Sequence, residues 1–386
     1  MPSTTSYLFI GLVAAVATFV FTPLVGMVAR RVGWVAEPAE RRVHTVATPD
    51  VGGIAMFVGL VAALAAARLN DRFDVIFARN GDEPRGLLFG AAVIFGVGLI
   101  DDIREISAPA KVIGTIGAAA VLTYYGVTMF YFRVPFVDVF TVSDDWLLLI
   151  TVIWLLGMTQ AINLIDGLDG LAAGIVAIGA LAFFIYSLRL ASVQLLPSPS
   201  IGPLVAIITV GMCIGFLPHN FNPARIFMGD GGALLLGLML AVSTSVVGGR
   251  ADPNPSHGYA GQTYFFLAPL FIPLFILGVP ILDTLFAIIR RATRRQGVAT
   301  ADKRHLHHRL MEMGHGQRRS VVILWAWTAL LSAFVLYPVL TQSFVSYVPI
   351  GGAMLGLLLY TLFHPQIRRN RAASDDSGLE TPTPTG

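Results

Sequence analysis

Long apolar runs separated by short polar stretches occupy nearly the whole chain. They fall at about residues 7–29, 52–69, 86–100, 109–126, 146–163, 170–190, 201–217, 233–248, 264–289, 321–340 and 346–364. A helix needs about 20 apolar residues to cross the hydrocarbon core of a bilayer, so each run spans it or nearly does. The third and eighth runs are the shortest. The pattern predicts an all-α, polytopic integral membrane protein with about 11 transmembrane helices, whose termini lie on opposite sides. The first run, Tyr7 to Ala29, has no basic segment before it and exceeds a signal-peptide core, so it reads as a retained helix. Pro269, Pro273 and Pro280 predict a bent or broken ninth helix. One transmembrane domain, residues 1–370, is expected, followed by a polar tail, 371–386, too poor in apolar residues to order itself.

The basic residues orient this bundle. With the N-terminus outside, cytoplasmic segments hold Arg30, Arg31, Arg41, Arg42, Arg104, Lys111, Arg225, nine residues between Arg290 and Arg319, and Arg368, Arg369 and Arg371. Only Arg68, Arg72, Arg79, Arg85, Arg133, Arg189 and Arg250 fall at the outer face. Nineteen of 26 inside satisfies the positive-inside rule, so the C-terminus is expected in the cytoplasm. Composition agrees: 55% of residues are hydrophobic and 13% charged, where soluble domains carry about a quarter charged residues. In such a chain a net charge of +3 reports topology and contact with membrane lipids, and no nucleic-acid partner is expected. A homodimer is left open. The lone Cys213 excludes a disulfide framework and a thiolate metal site.

That orientation brings four polar islands to the cytoplasmic face. Asp101 and Asp102 end the third run, with Lys111 opposite at the start of the fourth; a solvated helix end is the plain alternative. Asn163, Asp166 and Asp169 recur every third residue in Gln160-Ala-Ile-Asn163-Leu-Ile-Asp166-Gly-Leu-Asp169-Gly170, so a helical turn would give them one broad face. Their oxygens suit Mg2+, which takes a few protein ligands and completes its shell from phosphate and water; an Asx-rich cap is the alternative. Asp230 lies in Phe227-Met-Gly-Asp230-Gly-Gly, whose amides could reach phosphate oxygens, although a helix-capping Asp is also compatible. Phe227 could stack on a planar base or simply anchor at the interface. His305, His307 and His308 stand among Lys303, Arg304 and Arg309 in a basic loop, about residues 290–320, that suits a pyrophosphate better than a transition metal. Attraction to lipid headgroups explains part of that charge. Asp283 lies inside the ninth run, where a carboxylate is either functional or paired with a neighbouring helix.

Taken as a set, these residues resemble the polyprenyl-phosphate N-acetylhexosamine-1-phosphate transferases. The likeness rests on Val43-His44, Pro49-Asp-Val-Gly52-Gly53, Asp101-Asp102 with Lys111, Asn163 to Gly170, Phe227 to Asp230, Pro280 to Asp283 and His305-Leu-His307-His308. Gln160 stands where the family usually has Asn. The resemblance implies that Asn163 and Asp230 hold Mg2+, for which Mn2+ substitutes, and that Asp101, Asp102 and Lys111 meet the lipid phosphate. It implies that Asp169 and Phe227 contact uracil while Arg304 and the histidines cover the pyrophosphate and sugar, with Asp166 among the catalytic carboxylates. Val43-His44 and Pro49-Asp-Val-Gly-Gly are more similar to the branch using UDP-GlcNAc than to the phospho-N-acetylmuramoyl-pentapeptide branch. A bacterial plasma-membrane protein is implied, with its site on the cytoplasmic face.

The expected reaction is attack by polyprenyl phosphate on the sugar-side phosphorus of UDP-GlcNAc, giving polyprenyl-diphospho-GlcNAc and UMP. A two-step path through a carboxylate nucleophile such as Asp230 is the runner-up. An ion-coupled transporter is the rival from another class, but transport sites lie near the membrane midplane, and here every island but Asp283 sits at one face.

Overall fold

The structure is a computed structural model describing residues 2–36, 47–79, 82–129, 131–134, 138–141, 143–196, 198–250, 316–341 and 347–363. Its helices are α1 (Thr4–Val32), α2 (Gly53–Arg68), α3 (Asp74–Arg79), α4 (Glu83–Arg104), α5 (Ala108–Tyr124), α6 (Asp144–Ile165), α7 (Leu171–Ser192), α8 (Gly202–Asn220), α9 (Gly229–Val247), α10 (Gly316–Thr341) and α11 (Tyr347–Phe363). Ten of the eleven apolar runs are thus helices. The ninth run, with Asp283 and its prolines, lies outside the described residues, as does the tail.

Seven of these helices are long and apolar enough to cross a membrane, or eight if α2 and the segment after it, bent by 89°, count as one span. The protein is therefore a polytopic membrane protein. The third run is longer than its apolar core suggests, because Glu83-Pro-Arg and Asp101 to Arg104 continue the helix at both ends. The short members are instead α2, at 16 residues, and α5 and α11, at 17 each. The all-α expectation also misses two antiparallel ribbons, β1 (Val35–Ala36) with β2 (Thr48–Pro49) and β3 (Tyr131–Val134) with β4 (Asp138–Thr141). Strands of two and four residues are too short to show an alternating pattern.

Helix ends follow local chemistry. Ser3 caps α1 by accepting from the Ser6 amide at 3.2 Å, and Gly33, at φ 86°, closes its other end in the left-handed region. Pro23 inside α1 cannot donate to the carbonyl of Phe19, and the ring of His219 on α8 lies 3.1 Å from that oxygen instead.

α9 is the axis of the bundle. Nearly all its residues are buried, against α2, α4, α6, α7 and α8. α1 packs on α2 and α8, α5 on α4, and α10 on α7, forming an outer layer. Lipid tails are as apolar as leucine, so helices in a membrane associate through close packing of small residues. Gly98 of α4 shows this: a Cβ there would sit 2.5 Å from the Cα of Gly231 on α9.

Beyond the far end of α9, Arg250 ties the antiparallel α4 and α9 together. Its guanidinium donates to Glu83 at 2.6 Å and to the carbonyls of Thr128 at 3.0 Å and Gly126 at 2.5 Å. Both members of the ion pair are nearly buried, at 10% and 13% side-chain exposure.

Candidate active site

The near ends of α4, α5, α6 and α9 assemble the polar islands. Lys111, one turn into α5, places its ammonium 2.5 Å from Asp101 and 2.6 Å from Asp230, so it bridges a carboxylate of α4 and one of α9. The three side chains are 13–24% exposed, shielded enough to strengthen the charges and open enough for a ligand. Asn163, in the last turn of α6, turns its amide to the same Asp230 oxygen at 3.4 Å. Lys111 thus acts as the folded-back cation that its position suggested.

Asp101 and Asp102 do not share a partner. Asp101 also accepts from the Ile106 amide at 2.8 Å, bracing the turn between α4 and α5. Asp102 accepts from the amides of Asp230 at 2.6 Å and Gly231 at 3.0 Å, capping α9 from another helix. A carboxylate there satisfies two orphan N–H groups and faces the positive end of the helix dipole. This corrects two expectations. The Asp230 and Gly231 amides are taken by Asp102 rather than open to phosphate, and Asp230 lies in the first turn of α9 instead of capping it.

Gly229 makes the arrangement sterically possible. Its φ of +69° lies in the left-handed region, and a Cβ there would meet the Asp102 carboxylate and the Asp50 carbonyl, both at 2.5 Å. The turn before it is clamped to the Pro49-Asp-Val-Gly52-Gly53 segment. Phe227 donates to the Pro49 carbonyl at 2.8 Å, Gly52 to Phe227 at 2.9 Å and Gly53 to Met228 at 2.8 Å. Phe227 itself is half-buried.

Asn163, Asp166 and Asp169 do not share a helical face. α6 ends at Ile165, Asp166 is its C-cap, and the chain turns before Gly170, at φ 78°, leads into α7. The two Gly residues of the paired Asp-Gly steps favour that break over a continued helix. Asp166 is half-buried, and its burial beside Asp50, Asp230 and Asp169 holds its carboxyl well above the usual range. Asp169 turns elsewhere, accepting from Asn222 at 2.9 Å and from the Ala224 amide at 3.0 Å. Asn222 also donates to Gln317 at 2.6 Å, and Arg318 donates to the Asn222 carbonyl at 2.9 Å. The first turn of α10, which follows the histidine-bearing segment in the chain, is thereby tied to the Asp169 turn.

His305, His307, His308 and Arg304 lie outside the described residues, as does His44. Gln160 is exposed on α6, one turn before Asn163. Sequence reasoning passed over Asp50, which lies in electrostatic reach of Asp102 and Asp166, although its Pro-Asp-Val-Gly-Gly setting was a signal. It also passed over Asn220, buried at 2% exposure, which accepts from the Gly170 amide at 3.0 Å and donates to Ile226 at 3.0 Å. An amide ending an apolar helix was the available hint.

Among the described residues no three His, Cys, Asp or Glu side chains converge as a metal cluster. The donor set instead comprises two oxygen-bearing groups, Asn163 and Asp230, facing one point; a half-turn of the amide brings its oxygen there. That fits Mg2+, which takes a few oxygen ligands from protein and completes its shell from phosphate and water.

Residues 85–248 match the family described as Glycosyl transferase family 4. The decaprenyl-phosphate N-acetylglucosaminephosphotransferase of Mycobacterium leprae is 38% identical over 360 residues, covering 91% of this chain and 87% of the relative. A probable undecaprenyl-phosphate N-acetylglucosaminyl 1-phosphate transferase of Bacillus subtilis is 36% identical, covering 81% and 80%. A phospho-N-acetylmuramoyl-pentapeptide-transferase of Staphylococcus haemolyticus is 29% identical over 252 residues, covering 60% and 74%.

Proposed function

The chain belongs to Glycosyl transferase family 4, and from that premise we propose that it transfers GlcNAc-1-phosphate from UDP-GlcNAc to a polyprenyl phosphate. The products are polyprenyl-diphospho-GlcNAc and UMP, the former opening the assembly of a cell-envelope polysaccharide. The Mycobacterium leprae and Bacillus subtilis relatives, named for N-acetylglucosamine phosphate transfer, match over more of the chain, and at higher identity, than the Staphylococcus haemolyticus pentapeptide transferase does. The observation that carries the reading is the Lys111 ammonium held between Asp101 and Asp230 with Asn163 beside them. It is a site built for anionic oxygens at the end of a membrane bundle.

An oxygen of the lipid phosphate attacks the sugar-side phosphorus of the donor. The new P–O bond forms as the anhydride bond breaks, and UMP leaves with the electron pair. A phosphate monoester has a second pKa of about 6, so the attacking group is already ionised and needs no general base, and Asp101 acts by holding the Lys111 ammonium that meets it. Lys111 exchanges a carboxylate oxygen for a phosphate oxygen and stabilises charge as the anhydride breaks, as cations do in phosphoryl transfer generally. Asn163 and Asp230 would hold Mg2+ or Mn2+, which would supply neutralisation of the donor's phosphate charge when bound. Asp102 acts through Asp230, whose backbone it fixes, and Asp166, kept towards its neutral form by burial beside other carboxylates, would ionise more readily with a cation bound beside it. Asp169 and Phe227 border the uracil, and Arg304, His305, His307 and His308 cover the pyrophosphate and sugar.

The test follows the labelled phosphorus. Purified protein with Mg2+, polyprenyl phosphate and UDP-GlcNAc labelled at the sugar-side phosphorus should move the label into lipid and release one UMP per turnover. Label retained in released UDP would overturn the reaction, and full turnover in excess chelator would remove the metal from it.

A further inference from the structure

At the end of α2 and α4 away from Asp101, the structure holds a cavity of about 370 Å³. Arg85 and Asp101 are sixteen residues apart on α4, about 24 Å along a helix, so this cavity is separate from the candidate active site. Arg68, the last residue of α2, and Arg85, in the first turn of α4, stand at its mouth. Below them the walls are Val61, Leu64, Ala65 and Leu88. Val61 lies seven residues before Arg68, so the slot runs roughly 10 Å from the mouth. After Arg68 the chain bends by 89° into the segment containing α3, which therefore runs across the helix ends. From α3, Phe77 lines the slot, its ring centroid 5.7 Å from the Arg68 guanidinium carbon.

Each arginine has a carboxylate neighbour, Asp74 at 3.4 Å and Asp82 at 2.6 Å. All four side chains are more than half exposed, and neither Asp lines the slot. Exposed pairs of this kind are weak and give way readily to another anion. A slot with two guanidinium groups at its mouth and apolar walls beneath is complementary to an amphiphile with a phosphate head and a hydrocarbon tail. Water gains few partners among such walls. An arm of the chain lying across the helix ends is also where interfacial helices meet headgroups.

We propose that this slot binds one membrane phospholipid, its phosphate between Arg68 and Arg85 and an acyl chain along Val61, Leu64 and Leu88. The site is distinct from the one that takes the lipid substrate and does not depend on the proposed reaction. Delipidated full-length protein titrated with phosphatidylglycerol, and read by native mass spectrometry, should retain one lipid per chain. The double substitution Arg68→Gln with Arg85→Gln should weaken retention at least tenfold while UMP release and melting temperature stay unchanged. Ala65→Trp, which fills the slot from an exposed position, should displace the lipid with both arginines in place. Glycerol phosphate and diacylglycerol should each compete poorly, since each supplies half of the recognition. Unchanged retention in the double variant, or diacylglycerol binding as well as phosphatidylglycerol, would overturn the proposal. Should the double variant not fold, the Ala65→Trp result decides alone, and unchanged retention there overturns it too.

Discussion

Asp101 and Asp102, adjacent in the chain, turn to different partners because successive side chains on a helix point about 100° apart. Asp101 meets the Lys111 ammonium, whereas Asp102 reaches the start of α9. The two residues should therefore fail differently. Asp102→Ala leaves two half-buried amides without an acceptor, at roughly 1–3 kcal/mol each, so melting temperature and UMP release should fall together. Asp230→Asn preserves shape and backbone bonds but removes the charge facing Lys111. Its melting should stay near wild type while turnover drops by about 100-fold or more, as for loss of a group acting in the transition state. Thermal melts in detergent beside UMP release separate the two, and an Asp102→Ala protein melting like wild type would refute the capping role.

The active elements are α4 and α9, antiparallel and tied at both ends, by Asp102 near one and by Arg250 with Glu83 near the other. Between these ties, close packing sets the separation of the helices, and Gly98 is where it is tightest. Two glycines two positions apart on α4 test this. Nothing lies within 4 Å of a Cβ built on Gly96, whereas one on Gly98 meets the α9 backbone. Gly98→Val should push α4 off α9, lowering melting temperature and cutting activity at least tenfold. Gly96→Val, with the same change in helix propensity, should do neither. Equal behaviour of the two would show that helix separation does not govern the site.

Across the whole molecule, the carboxylates, Lys111 and Asn163 gather at one end of the bundle. The Arg250 tie and the arginine-mouthed slot lie at the other. By the positive-inside rule the sequence predicts that the end with Asp101 and Asp230 faces the cytoplasm, nineteen of 26 basic residues being expected on that side. Reporters active only inside or only outside the cell, fused after Arg371, should show a cytoplasmic C-terminus. An outer C-terminus would refute the expected count of crossings.

Membrane spans were legible from the sequence because partition into lipid depends on the composition of each run by itself. Ten runs are found as helices near the expected places, and the grouping of Asp101, Lys111, Asn163 and Asp230 followed once those helices had a direction. The short ribbons were not legible, since two to four residues carry no period. Nor were the roles of Asp102 and Asp169, because hydrogen-bond partners are a matter of packing rather than of local pattern. The amides that Asp102 caps lie 128 residues further along the chain, and the Asn222 amide bonded to Asp169 lies 53 residues on. Which helices meet is decided by shape, as where Gly98 lets α4 reach the backbone of α9. Only that contact determines whether a carboxylate is left to face a ligand or is taken up holding the fold.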